Sequence, residues 1–184
     1  MRQVAYYKGC LASLSAKELD TSTQALAPKV GLELIELEAV TCCGAGDIHE
    51  AEPDYYLHLN ARILAWAEET GADTLMTICN VCTLNLRQAN HALQNDAALL
   101  ARVNENLVTV GAPPYSGGVE VMHFLWLVSA GEGYELLQKA ELVDNVPAVF
   151  ESWRDGTVAR SWLLDLFAEA LAAVGRTAEA LRAA

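Results

Sequence analysis

Four short apolar runs, each followed by a stretch with helical spacing, divide roughly the first 130 residues of the chain. The first is Val4-Ala-Tyr-Tyr7, rich in strand-forming residues and turned by Lys8-Gly9-Cys10. A helix is predicted from Ala16 to about Lys29, with Ser13 or Ser15 available to cap it and Pro28 near its end. Gly31 resets the chain. Leu32-Glu-Leu-Ile-Glu-Leu37 then alternates apolar and acidic positions as a strand does. A second helix is predicted from Pro53 to Thr70, where Leu57, Ile63, Leu64 and Ala67 form an apolar stripe and Pro53 suits the first turn.

Asp73-Thr-Leu-Met-Thr-Ile78 is apolar enough for a strand buried on both faces. Helices over about 80–95 and 97–107 follow it. A loop rich in Gly and Pro then leads into a fourth strand, Val119 to His123, and a helix beginning at Phe124. Strands alternating with helices predict an α/β fold: a Rossmann-like parallel sheet of about four strands with helices on both faces. Residues 1–140 form this domain. Residues 141–184 read as a C-terminal helical extension, with a connector at 144–155 and an alanine- and leucine-rich helix at 158–184. The stripe Val158, Trp162, Leu166, Ala170 and Ala173 suits packing on the sheet or docking to a partner.

Composition narrows the function classes. At 53% hydrophobic and 20% charged, the 184-residue chain can bury a substantial core. Its formal charge of −12 argues against nucleic acid, whose phosphates require a basic face. The N-terminus reaches a charge and a glycine too early for a secretory signal, and no apolar run approaches the ~20 residues of a membrane span. The expected setting is the cytoplasm, either free or peripheral to a membrane complex. Structural disulfides are uncommon there, and five cysteines cannot all pair, so metal ligands or redox thiols are expected.

Those cysteines are Cys10, the tandem Cys42-Cys43, and Cys79-Asn80-Val81-Cys82. Each group falls in a loop leaving the carboxyl end of a predicted strand. In a parallel sheet with right-handed crossovers those loops share one edge, so all five sulfurs are expected to converge. Soft thiolates select zinc or iron–sulfur centres over hard cations. A structural zinc site would use four of the five tetrahedrally. A dithiol relay through Cys79 and Cys82 would leave Cys10 and the tandem pair without a task.

The spacing is 31 residues (11–41), Cys-Cys-Gly, 35 residues (44–78), then Cys-x-x-Cys. With the opening Tyr6-Tyr7-Lys8-Gly9-Cys10 and the later Gly117-Gly118-Val119-Glu120-Val121 followed by His123, it resembles the cysteine-rich CCG domain family. The B-type subunit of heterodisulfide reductase belongs to that family. So do related subunits of unusual succinate dehydrogenases and of lactate- or glycolate-oxidising complexes. The resemblance implies a noncubane [4Fe–4S] cluster ligated by Cys10, Cys42, Cys43, Cys79 and Cys82. Adjacent cysteines would present one bridging and one terminal sulfur. It further implies an iron–sulfur redox subunit that transfers electrons or reduces a disulfide or thiol substrate, working with other iron–sulfur or flavin subunits. The alternative is a non-catalytic assembly or anchor subunit holding structural zinc. The heterodisulfide reductase subunit carries two CCG motifs and this chain one, so the implied form is single-motif, either self-sufficient or completed by another chain.

His123, Asn80 and Thr41 are candidates to hydrogen-bond the ligands or the sulfides. A packed core histidine and ordinary turn chemistry explain the same residues. His49, His58 and His91 are expected to face solvent. Gly44-Ala-Gly46 lacks the rest of a dinucleotide fingerprint, and no nucleophile–histidine–acid set is present.

Overall fold

Two strands of the chain are buried on both faces, and everything else is arranged around them. They are β1 (Arg2–Tyr7) and β3 (Thr74–Thr77), central in a four-stranded parallel sheet of order β2-β1-β3-β4. The computed structural model describes residues 1–129. The expected helices at 135–140 and 158–184, the connector at 144–155 and the extension 141–184 lie outside the described residues. The chain divides into units Met1–Leu125 and Trp126–Ala184, and the account below concerns the first.

The edge strands are β2 (Leu32–Glu36) and β4 (Glu120–His123), each half-exposed. Register runs from Arg2 opposite Leu32 on one side of β1 to Ala5 opposite Leu75 on the other, with Thr74 of β3 opposite Glu120. Between the strands lie α1 (Gly9–Leu14), α2 (Lys17–Leu26), α3 (Asp47–Ala51), α4 (Pro53–Glu69), α5 (Asn80–Asn95) and α6 (Ala97–Thr109), and α7 (Phe124–Ser129) follows β4. The α/β class, the parallel sheet and the four strands agree with the sequence pattern.

Strand order decides which helices share a face. The β1–β2 connection runs one way along the sheet and the β2–β3 and β3–β4 connections run the other, so right-handed crossovers place them on opposite faces. Neighbouring tyrosines record the alternation. The Tyr6 hydroxyl donates to Asp20 of α2 at 2.9 Å, whereas Tyr7 packs in the main core with Cys43, Leu64, Leu75, Leu86, Leu93, Val103 and Val121. That core fills the space between the sheet and α4, α5 and α6.

The first predicted helix is divided in the structure. Helix α1 begins at Gly9 and already contains Cys10, α2 ends at Leu26, and a 3₁₀ turn covers Ala27–Val30. Pro28 has no N–H to continue an α-helical ladder and suits the tighter turn. Neither serine caps α2. The Ser13 hydroxyl donates to the Gly9 carbonyl at 2.8 Å, and the residue at the α2 N-cap is Ala16. Pro53 does stand in the first turn of α4, and Asp96 caps α6 by accepting from the Leu99 N–H at 2.9 Å.

The Gly-Pro loop before β4 is fastened by polar side chains from three helices. Glu68 of α4 accepts from the Ser116 N–H (2.7 Å), the Ser116 hydroxyl (2.7 Å) and the Gly118 N–H (2.6 Å). Asn104 of α6 exchanges two bonds with the Tyr115 backbone, and Asn90 of α5 holds both the Tyr115 hydroxyl and the Val119 carbonyl. Hydrogen bonds to a charged acceptor are the stronger kind, and their exposure here reduces their net worth. Glu68→Ala is therefore expected to lower stability by about 1–3 kcal/mol, read as a lower urea midpoint with an unchanged slope. An unchanged midpoint would mean the loop is held without Glu68.

Candidate metal centre

The strand order leaves one crevice at the carboxyl edge. The loop after β1 departs toward β2 and the loop after β3 departs toward β4, so the chain diverges between the two central strands, as at other topological switch points. Cys10 belongs to the first of these loops, and Cys79 and Cys82 belong to the second. The tandem cysteines arrive from the loop after β2. That loop is drawn across the end of β1 by the Tyr7 hydroxyl, which donates to the Thr41 carbonyl at 2.8 Å.

Local backbone geometry aims the sulfurs. Gly9 has φ +77°, a left-handed turn that swings α1 off the end of β1 and brings the chain past Cys82. Gly44, at φ +76°, bends the chain so that its own N–H points at the Cys42 sulfur, 3.4 Å away. Cys79 is the extended N-cap residue of α5. Its carbonyl accepts from the Thr83 N–H (2.9 Å) and from the Thr83 and Thr77 hydroxyls (2.9 and 3.2 Å), which fixes the strand-to-helix corner. Cys82 then lies in the first turn of α5 and is buried.

The result is a connected run of thiols. Cys10 and Cys42 lie 3.5 Å apart, as do Cys43 and Cys82, and Cys79 shares a hydrogen bond with Cys82. All five are free thiols; a disulfide would need about 2.05 Å between sulfurs. The run has a buried end, with Cys43 at 1% and Cys82 at 4% exposure, and an open end at Cys10. Among the described residues no three or more His, Cys, Asp or Glu side chains already surround a single metal ion. The donor set is instead sulfur-only and arranged in close pairs.

The electrostatics favour thiolate at two positions. Cys43 is drawn down to about 6, first by the hydrogen bond from the Cys82 thiol, then against burial by the Ala45 N–H and Asn85. Cys79 is drawn down to about 6 by the same Cys82 thiol, helped by the N–H groups of Cys82 and Val81 at the start of α5. Cys82 is pushed up because it supplies the proton to both neighbours. Burial pushes Cys42 up, partly offset by the Gly44 N–H. Tyr7 is pushed up by burial and then by the charges of Cys82, Cys43, Cys42 and Cys10, so its phenol stays protonated beside them. A sulfur-only donor set with two thiolates and several N–H donors suits an iron–sulfur group, whose thiolate ligands are charged and accept such bonds.

The three expected supporting residues fall differently. Thr41 contributes its carbonyl to Tyr7, and its side chain is exposed. Asn80 is exposed, with its side-chain oxygen accepting from the Val81 N–H at 3.0 Å. His123 lies at the carboxyl end of β4, opposite Thr77, and Nδ1 accepts from the Leu125 N–H at 3.1 Å. Burial holds its pKa down, opposed by a hydrogen bond with the Ile78 backbone. These contacts of His123 are with backbone and none is with a cysteine.

Sequence reading missed four residues that do act on the thiols: Tyr7, Gly9, Asn60 and Asn85. Asn60 Nδ2 donates to the Cys43 carbonyl at 2.8 Å, and Asn85 Nδ2 lies 3.6 Å from the Cys43 sulfur. Asn85 was detectable in principle, because it stands one helical turn after Cys82 in a helix whose opposite face is apolar. Asn60 carries no such mark, since its partner is 17 residues away in a loop.

Comparison with known proteins agrees with this geometry. Residues 4–87 match the cysteine-rich domain family designated CCG. Over 128 residues the chain is 35% identical to the 8-methylmenaquinol:fumarate reductase membrane anchor subunit of Wolinella succinogenes, covering 70% of this chain and 44% of that one. It is 30% identical over 141 residues to a protein of Archaeoglobus profundus that is named for its likeness to the B-type subunit of heterodisulfide reductase, covering 76% of this chain and 46% of the relative. The matched region thus takes up less than half the length of these relatives. A crystal structure of a hypothetical protein from Helicobacter pylori shares the fold, with TM-score 0.62 and 22% identity over 71% of this chain and 26% of that one.

Proposed function

From the membership of residues 4–87 in the cysteine-rich CCG domain family, we propose that Cys10, Cys42, Cys43, Cys79 and Cys82 hold one iron–sulfur cluster, a [4Fe–4S] centre of the noncubane kind. The protein then serves as a redox subunit of a larger oxidoreductase. The observation that carries this reading is the convergence of five unpaired thiols from three loops on the switch-point crevice, with N–H donors directed at them. When bound, such a cluster accepts and donates single electrons.

The chain's own residues divide the work. Cys43 and Cys82 lie in the core, where water is excluded and each hydrogen bond to sulfur counts for more. Tyr7 holds the tandem loop to the end of β1 and keeps its own proton. Cys10, at the open end, is where a partner subunit or a disulfide or thiol substrate can approach. The names of the relatives support partners of this kind, a membrane anchor subunit in one case and heterodisulfide reductase subunits or their like in the others. Among the described residues no helix is long and apolar enough to cross a membrane, so attachment to a membrane complex would be peripheral for this part of the chain.

Anaerobic purification with iron, sulfide and zinc analysis tests the reading. The expected result is a brown protein absorbing near ~400 nm, with iron and acid-labile sulfide at roughly 1:1. A colourless protein with about one zinc per chain would replace it with a structural zinc site and an assembly or anchoring role.

A further inference from the structure

We infer that Asn85 is a positioning residue that sets the reduction potential of the centre through an N–H···S hydrogen bond to Cys43. The inference rests on the cluster reading above. It starts from how the two buried amides around Cys43 are used. Asn60, fully buried, donates to the Cys43 and Tyr56 carbonyls at 2.8 and 2.9 Å, so both its bonds hold backbone. Asn85, 4% exposed, reaches the sulfur itself at 3.6 Å. One amide fixes where Cys43 is, and the other acts on the atom that would bind iron.

That use of Asn85 has little structural return if Cys43 is an ordinary buried thiol. A neutral sulfur is a weak acceptor, and burying a carboxamide costs free energy unless strong bonds replace its water. The position is surrounded by core residues such as Leu86 and Ala89, where an apolar side chain would pack without that cost. A thiolate or a metal-bound sulfur reverses the balance, because a charged acceptor roughly doubles the strength of the bond. The orientation of Asn85 is also fixed from its backbone, whose carbonyl accepts from the buried Tyr56 hydroxyl at 3.2 Å. Among the described residues no other side-chain amide is directed at a cysteine sulfur. Hydrogen bonds to the sulfurs stabilise the more negative, reduced state and so raise the potential.

The test compares anaerobically purified full-length protein with Asn85→Leu and Asn85→Asp. Both variants are expected to retain wild-type iron and sulfide, with a midpoint potential displaced downward in Leu and further downward in Asp. Their order follows the loss of a donor and then the gain of a negative charge. Equal potentials at equal iron content would reduce Asn85 to a packing residue and overturn the inference. Should neither variant fold, pulsed electron paramagnetic resonance of the wild type carrying ¹⁵N-asparagine decides. A nitrogen coupling from the Asn85 side chain, assigned by its absence in unlabelled protein and its persistence in a labelled Asn60→Ser variant, supports the bond; no coupling rejects it. A wild-type protein without iron would instead overturn the cluster reading, and the tuning role with it.

Discussion

Cys43→Ser protein, purified anaerobically, is expected to lose iron by roughly tenfold or more, the scale on which even supporting contacts of a metal site act, while keeping its far-UV circular dichroism. The substitution is nearly isosteric and lies at a position 1% exposed, so it opens no cavity. It exchanges a soft sulfur, hydrogen-bonded by Cys82 and Asn85, for a hydroxyl that binds iron poorly and ionises far less readily. The sheet depends on the apolar contacts among β1, β3, α4, α5 and α6 rather than on this sulfur, so the cost to folding should stay near ~1 kcal/mol. Cys10→Ser, at the exposed end of the run, is expected to lose less iron than Cys43→Ser. Wild-type iron and an unaltered spectrum in Cys43→Ser would remove Cys43 from the ligand set.

Gly9→Ala is expected to damage the same centre without touching a sulfur. The backbone at Gly9 has φ +77°, where an L-residue costs about 1–2 kcal/mol. The added Cβ would lie 3.2 Å from the Cys82 sulfur, a distance that forces the sulfur to yield by a few tenths of an ångström. Cys82 is the thiol that contacts both Cys43 and Cys79, so its displacement disturbs two contacts at once. Iron content below half of wild type, together with a lower melting temperature, is the expected outcome. A variant that melts lower yet binds iron normally would separate the turn from the site and show that the close approach to Cys82 can be relieved elsewhere.

These two outcomes depend on different parts of the chain's information. The cysteines, their spacing and their arrival at one sheet edge were legible because the alternation of apolar runs and helical stretches is strong, and a parallel sheet leaves its strand-to-helix loops no other edge. The role of Gly9 was not legible in the same way. A glycine after a strand signals a turn, but the sulfur it must accommodate comes from Cys82, far along the chain in α5. Helix boundaries near Pro28 shifted for a local reason, the missing N–H. The supporting residues eluded the pattern for a non-local one. Asn60 and Asn85 meet Cys43 only after α4 and α5 have packed side by side, and Thr41 contributes a carbonyl that no side-chain motif encodes.

By itself, then, the amino-acid sequence determined the class of fold, the identity of the five sulfur donors and the edge on which they gather, because hydrophobic period and cysteine spacing are properties of neighbours in the chain. Only the tertiary structure decided the strand order β2-β1-β3-β4, the crevice between β1 and β3, which sulfurs are buried, and which amides and phenols surround them. Strand order and burial come from packing between segments far apart in sequence, and the free energy of that packing belongs to the assembled core rather than to any one segment of it.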